Sequence, residues 1–96
     1  MTLPDERTRA LLWAGGFLIE VARDKRIPVS VRQRAVEIAR HFPTVQQISF
    51  MAMVDAGTSP DPALARPEDI SSAALDCRFG LLHDSTRLAW PSEESL

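Results

Sequence analysis

Apolar residues recur with helical spacing along the first half of the chain, and prolines divide the pattern into successive helices. The first is expected over residues 4–24. Pro4 suits a first helical turn, Asp5 and Glu6 sit where the helix dipole favours negative charge, and Thr2 is placed to cap them. At about 100° per residue, Ala10, Ala14, Phe17, Leu18 and Val21 share one face, which reads as the core-facing stripe. Arg9, Glu20, Arg23 and Asp24 fall opposite. Leu12, Gly16 and Ile19 make a second stripe, and Trp13 stands beside it on the polar side. Gly15 and Gly16 lie mid-helix, each costing about 1 kcal/mol relative to Ala. Close approach of another helix at Gly16, flanked by Trp13, would offset that cost; a simple kink is the alternative.

The second helix lies between Pro28 and Pro43 and has a basic outer face. Val31, Ala35, Ile38 and Phe42 form its apolar stripe, with Ala39 at the edge, while Arg34, Glu37, Arg40 and His41 point away. Val29 and Val36 lie off the stripe, so this helix is expected to have two neighbours or to touch a partner. Pro43 ends it, because the residue before a proline resists the helical region. Thr44 and Gln47 resemble a capping box and start a third helix over residues 44–56. Residues 47–54 are apolar on every side, which asks for burial all round or cover by another subunit. The alternation of Ile48, Phe50, Ala52 and Val54 also permits a strand.

Regularity fades after residue 56. Three prolines in residues 57–67 predict a loop. Ile70, Ala73, Ala74 and Cys77 have helical spacing and predict a short fourth helix over 68–79, with Gly80 at its C-terminal cap. Residues 81–90 read as a hairpin or as an extended arm docking Trp90, and residues 91–96 as a disordered tail. The fold expected is therefore mainly α: a single three- to four-helix domain over residues 1–90, with a helix–turn–helix-like corner and an irregular C-terminal arm.

Composition narrows the function classes. Ninety-six residues make one domain. Residues 1–50 carry a net charge of +3 and residues 51–96 a net charge of −5, which gives a basic front and an acidic back. The pI of about 5.6 argues against generic nucleic-acid binding. The single cysteine, Cys77, allows no intramolecular disulfide and fits a reducing compartment. Charges at the start argue against a signal peptide, and the longest uncharged run is too short to span a bilayer. A cytoplasmic protein with no membrane contact is expected.

Candidate chemistry is sparse. One Cys and two His form no close-spaced ligand pair, so neither a metal nor another cofactor is expected. His83, Asp84 and Ser85 carry the residue types of a hydrolase triad, but triads are assembled in space rather than in sequence, and a turn is the simpler reading. There is no Gly-x-Ser-x-Gly elbow and no phosphate-binding glycine loop. The corner between the second and third helices invites a DNA-binding test. The third helix has no Lys or Arg, so phosphate contacts would fall to Arg32, Arg34 and Arg40, or to Arg23, Lys25 and Arg26.

The opening Met1-Thr-Leu-Pro-Asp-Glu-Arg-Thr-Arg-Ala10, then Phe17-Leu18, the run 28–34, and Arg40-His-Phe-Pro43 resemble a family of small uncharacterised proteobacterial helical proteins. The resemblance covers residues 1–44 and implies a bacterial protein; it transfers no activity and no site residues. The function expected is that of a non-catalytic protein–protein interaction module, a regulator or accessory factor. Its most concrete form is a homodimer through helix 3 and a surface of Trp13, Gly16, Ile19, Val29 and Val36. A nucleic-acid-binding regulator using the basic face, and a small mobile-element inhibitor of a host complex, are the alternatives.

Overall fold

The computed structural model describes residues 3–93 and is mainly helical. Three helices, α1 (Pro4–Arg23), α2 (Val29–Ala39) and α3 (Val45–Thr58), are followed by two short 3-10 turns, Pro67–Asp69 and Ser72–Leu75, and an irregular arm. Thr2, the expected cap of α1, lies outside the described residues. Glu6 does part of the capping, its Oε1 accepting the Leu3 N–H at 3.0 Å. At α2 the Pro28 carbonyl accepts from both Val31 and Arg32. At α3 the capping box forms: the Gln47 N–H donates to Thr44 Oγ1 at 3.2 Å, and the Thr44 N–H donates to Gln47 Oε1 at 3.0 Å. That cap resolves the choice over residues 47–54 in favour of helix.

The core does not lie where the largest apolar residues pointed. On α1 the buried face is Thr8, Leu12, Gly15, Gly16, Ile19 and Ala22. The expected stripe lies at the edge of the core: Ala10 is exposed and Phe17 is 62% exposed, whereas Ala14, Leu18 and Val21 are half-buried, the last two packed against Ala22, Ala35 and Val36. On α2, Arg32, Ala35, Val36 and Ala39 are buried, while Val31 and Ile38 are exposed. The physical reason is the nature of the neighbour. α1 packs against α2 and also against the irregular arm, which must come close and find hydrogen-bond partners for its peptide groups. Gly15, Gly16 and Thr8 allow that approach, and Leu12 and Ile19 on the same face fill the core beside it.

The glycine pair shows the point directly. A Cβ on Gly16 would stand 2.8 Å from Cys77 Sγ and 3.1 Å from the Gly80 carbonyl oxygen, and one on Gly15 would stand 3.0 Å from Leu82 Cβ. The close approach expected at Gly16 is therefore made by the chain's own arm and not by another helix. Side chains of α1 complete the seam. Thr8 Oγ1 donates to the Ala65 carbonyl at 2.7 Å and accepts the Ala65 N–H at 3.0 Å, and Trp13 Nε1 donates to the Ala74 carbonyl at 2.9 Å.

The fourth helix does not form. Ile70 and Ser71 are extended (ψ 134° and 131°), so the segment breaks into the two 3-10 turns and then a turn closed by Gly80 at φ +81°. α3 follows α2 through a short junction, but its main contact is with the 3-10 turn at Pro67–Asp69. Its start is tied to the arm by the Val45 N–H, which donates to the Leu82 carbonyl at 2.8 Å. The arm thus serves both α1 and α3. It continues past residue 90: Pro91 is buried and its carbonyl accepts from Gln33 Nε2 at 2.9 Å. Residues 94–96 of the expected tail lie outside the described residues.

Candidate functional site

Two surfaces emerge from this packing, one apolar and one basic. The apolar one is the outer side of α3. Ile48 and Ala52 turn inward and are buried, whereas Phe50, Met51, Met53 and Val54 are exposed, Phe50 by 62% and Met53 by 56%. Gln46, Gln47, Gly57 and Thr58 fill the rest of that side. The only charged residue of α3 is Asp55, and its carboxylate is engaged by the chain itself, Oδ2 accepting the Ala63 N–H at 2.6 Å and the Leu64 N–H at 3.1 Å. The result is an apolar helical face beside a groove of about 400 Å³, lined by Phe50, Met51, Val54, Ala63 and Leu64 with the engaged Asp55 in its wall.

The expected interaction surface of Trp13, Gly16, Ile19, Val29 and Val36 does not come together on the outside. Gly16, Ile19 and Val36 are buried by the chain's own residues, Val29 is half-buried, and only Trp13 remains largely exposed. Their second stripe needed a second neighbour, and the arm is that neighbour. Trp13 holds the arm through Ala74 and carries the Arg9 guanidinium 5.2 Å from its ring centroid.

The expected basic face also divides. Arg34 stands apart, 3.9 Å from Glu37. Arg26 grips Asp24 with Nε at 3.0 Å and Nη2 at 2.9 Å, and its own N–H adds a third bond to the same carboxylate. These hydrogen bonds, the side-chain ones foremost, hold the Asp24 carboxyl at a pKa of about 2, below its ordinary 3.8. Arg40 lies 5.2 Å from the Trp90 ring centroid. Arg32 is buried, its Nε donating to the Ala22 carbonyl at 3.1 Å, which caps the C-terminal turn of α1. Arg23, Lys25 and Arg32 line one cleft with Arg87 and Trp90 of the arm. Arg87 escaped sequence reading because nothing in the irregular arm shows which way it turns.

Reactive groups are few. His83, Asp84 and Ser85 do form a turn, closed by Thr86 Oγ1, which accepts the His83 N–H at 3.0 Å. His83 and Asp84 bond to α3, through Gln46 and Thr44, and neither bonds to Ser85. Burial raises the Cys77 thiol, with the Asp76 and Glu20 charges adding to the shift, so the reactive thiolate is disfavoured. Among the described residues, no group of three His, Cys, Asp or Glu is placed to hold a metal ion. No described helix is long and apolar enough to cross a membrane.

Comparison of the chain with protein-family models, with curated proteins and with solved structures finds no match.

Proposed function

We propose that this protein is a non-catalytic helical interaction module whose working surface is the outer side of α3, and that the occupant is a second copy of the same chain. The observation that supports this reading is the apolar face of Phe50, Met51, Met53 and Val54. A solvated helix face normally carries charged residues. The one charge beside this face, Asp55 in the wall of the groove, is already bonded to the Ala63 and Leu64 N–H groups, so the apolar side chains themselves carry nothing that repels an identical face. A two-fold interface must be complementary to itself, and an uncharged apolar face meets that requirement without an electrostatic cost. The exposed Phe17 of α1 and Val31 and Ile38 of α2 are the rivals, but Arg34, paired with Glu37, lies one turn away from both α2 residues.

The area sets the strength. Four side chains about half exposed, at roughly 200 Å² each, leave about 400 Å² per copy, hence about 800 Å² in a homotypic contact. That is below the ~1,200 Å² typical of stable complexes, so the dimer is weak and concentration-dependent unless the groove beside Leu64 adds to it. Amide spectra recorded across a dilution series test the reading. Concentration-dependent shifts confined to residues 46–58 and 63–64 are expected; shifts centred on residues 17, 31 and 38 instead would overturn the choice of face.

A further inference from the structure

Four cations without a carboxylate partner among the described residues share one cleft. Arg26, Arg34, Arg66 and Arg78 each lie within 4.0 Å of an acidic side chain. Arg23, Lys25, Arg32 and Arg87 do not, and these four line a single cleft of about 350 Å³ between the end of α1, the start of α2 and the arm. Among the described residues no Asp or Glu lines that cleft; Glu93 lines the adjoining one, which shares Lys25 and Arg32.

Arg32 is the decisive residue. It is 9% exposed, and the Ala22 carbonyl fixes its Nε. Among the described residues no other bond to the Arg32 side chain forms, and its two terminal NH2 groups, which are not shut off from solvent, open on the two clefts that Arg32 lines. A guanidinium fixed at Nε with its terminal donors open to a cleft presents a preset fork to an anion's oxygens. The neighbours are already positioned. Arg23 Nη2 donates to the Arg87 carbonyl at 3.4 Å, and Arg87 Nη1 donates to the Asp84 and Thr86 carbonyls at 2.8 and 3.0 Å. Trp90 lines the same cleft, half exposed, with Arg40 stacked near its ring.

We propose that this cleft binds a phosphate group carried by a small molecule with a flat ring, of the nucleoside monophosphate kind. Arginine forks match phosphate oxygens bidentately, four cations suit a dianion better than a single carboxylate, and the indole offers a stacking surface for the ring. The volume lies within the small-ligand range. The site is separate from the α3 face and does not depend on the protein's dimerising.

The test is an NMR titration of the full chain at fixed ionic strength with four probes: inorganic phosphate, adenosine monophosphate, adenosine, and a short single-stranded oligonucleotide. Phosphate and the monophosphate are expected to shift residues 23, 25, 32 and 87 saturably. The monophosphate should bind more tightly and move the Trp90 indole, and adenosine should do neither. Lys25→Gln, at an exposed position, should weaken monophosphate binding by about threefold to tenfold with helix content unchanged. Arg32→Lys, which keeps a charge but loses the fork, should weaken it further. Absence of saturable shifts with phosphate and monophosphate overturns the proposal. So does equal binding of adenosine, or saturation by the oligonucleotide alone.

Discussion

Gly16→Ala separates the arm-docking account of the glycine pair from the view that the pair is only tolerated. In an otherwise unconstrained helix interior the change would stabilise by about 1 kcal/mol. Here the new methyl would meet Cys77 Sγ at 2.8 Å, Cys77 Cβ at 3.1 Å and the Gly80 carbonyl oxygen at 3.1 Å. One of these is backbone, and none is the far end of a long flexible side chain. Overpacking costs about 1–3 kcal/mol, and three simultaneous short contacts place this site in the upper part of that range. The propensity gain offsets part of it, leaving a net loss of roughly 1–2 kcal/mol. Gly57→Ala is the internal control, because nothing lies within 4 Å of the added atom and the residue is helical. It should stabilise by about 0.5 kcal/mol, reduced by its place in the last turn. Urea unfolding followed by helix signal and by tryptophan emission measures both. Adding Cys77→Ala to Gly16→Ala should recover part of the loss and couple non-additively. Equal stabilisation by both glycine substitutions would refute the reasoning.

Further outcomes follow from the polar seams. Thr8→Val keeps the shape but removes both Thr8–Ala65 hydrogen bonds, leaving the Ala65 N–H its longer bond to the Pro4 carbonyl, and should cost about 1–3 kcal/mol in urea unfolding, since Thr8 is fully buried. Asp24 should titrate in the folded protein near pH 2, and Arg26→Gln should return it towards its ordinary 3.8, as read from carboxyl carbon shifts. Because the folded pKa is the lower one, the stability linked to Asp24 is present above about pH 3.8 and is lost as pH falls towards 2. A midpoint unmoved by Arg26→Gln would contradict the assigned cause.

The three helices were legible because caps and prolines are local signals. Thr44 with Gln47, Pro28 and Pro43 act on their own neighbours, so their meaning does not depend on the rest of the fold. Which face of α1 is buried was not legible. Two stripes compete there, and summed hydrophobicity favours the one with Phe17 and Leu18. The choice falls to the stripe that carries the glycine pair beside Leu12 and Ile19, because the arm needs close contact and hydrogen bonds, which Gly16, Thr8 and Trp13 provide. The pairing of residues 65, 74 and 82 with α1 is long-range and leaves no periodic trace. The Gly15-Gly16 pair was the one sequence signal of that seam. The same limit hid the basic cleft: Arg23, Lys25 and Arg32 could be named from the sequence, but Arg87 joins them only through the path of the arm. The apolar character of α3, by contrast, was visible at once, because residues 47–54 are apolar whichever way the helix turns.

Sedimentation equilibrium on the wild-type chain and on Phe50→Glu tests the central claim most directly. Phe50 is 62% exposed, so the substitution should leave the fold intact while placing a charge in the middle of the uncharged face. The wild-type mass should rise towards that of a dimer only in the high micromolar range, and the Phe50→Glu mass should stay monomeric with unchanged helix content. A wild-type chain that remains monomeric at high micromolar concentration, or a Phe50→Glu chain that associates as the wild type does, would contradict it.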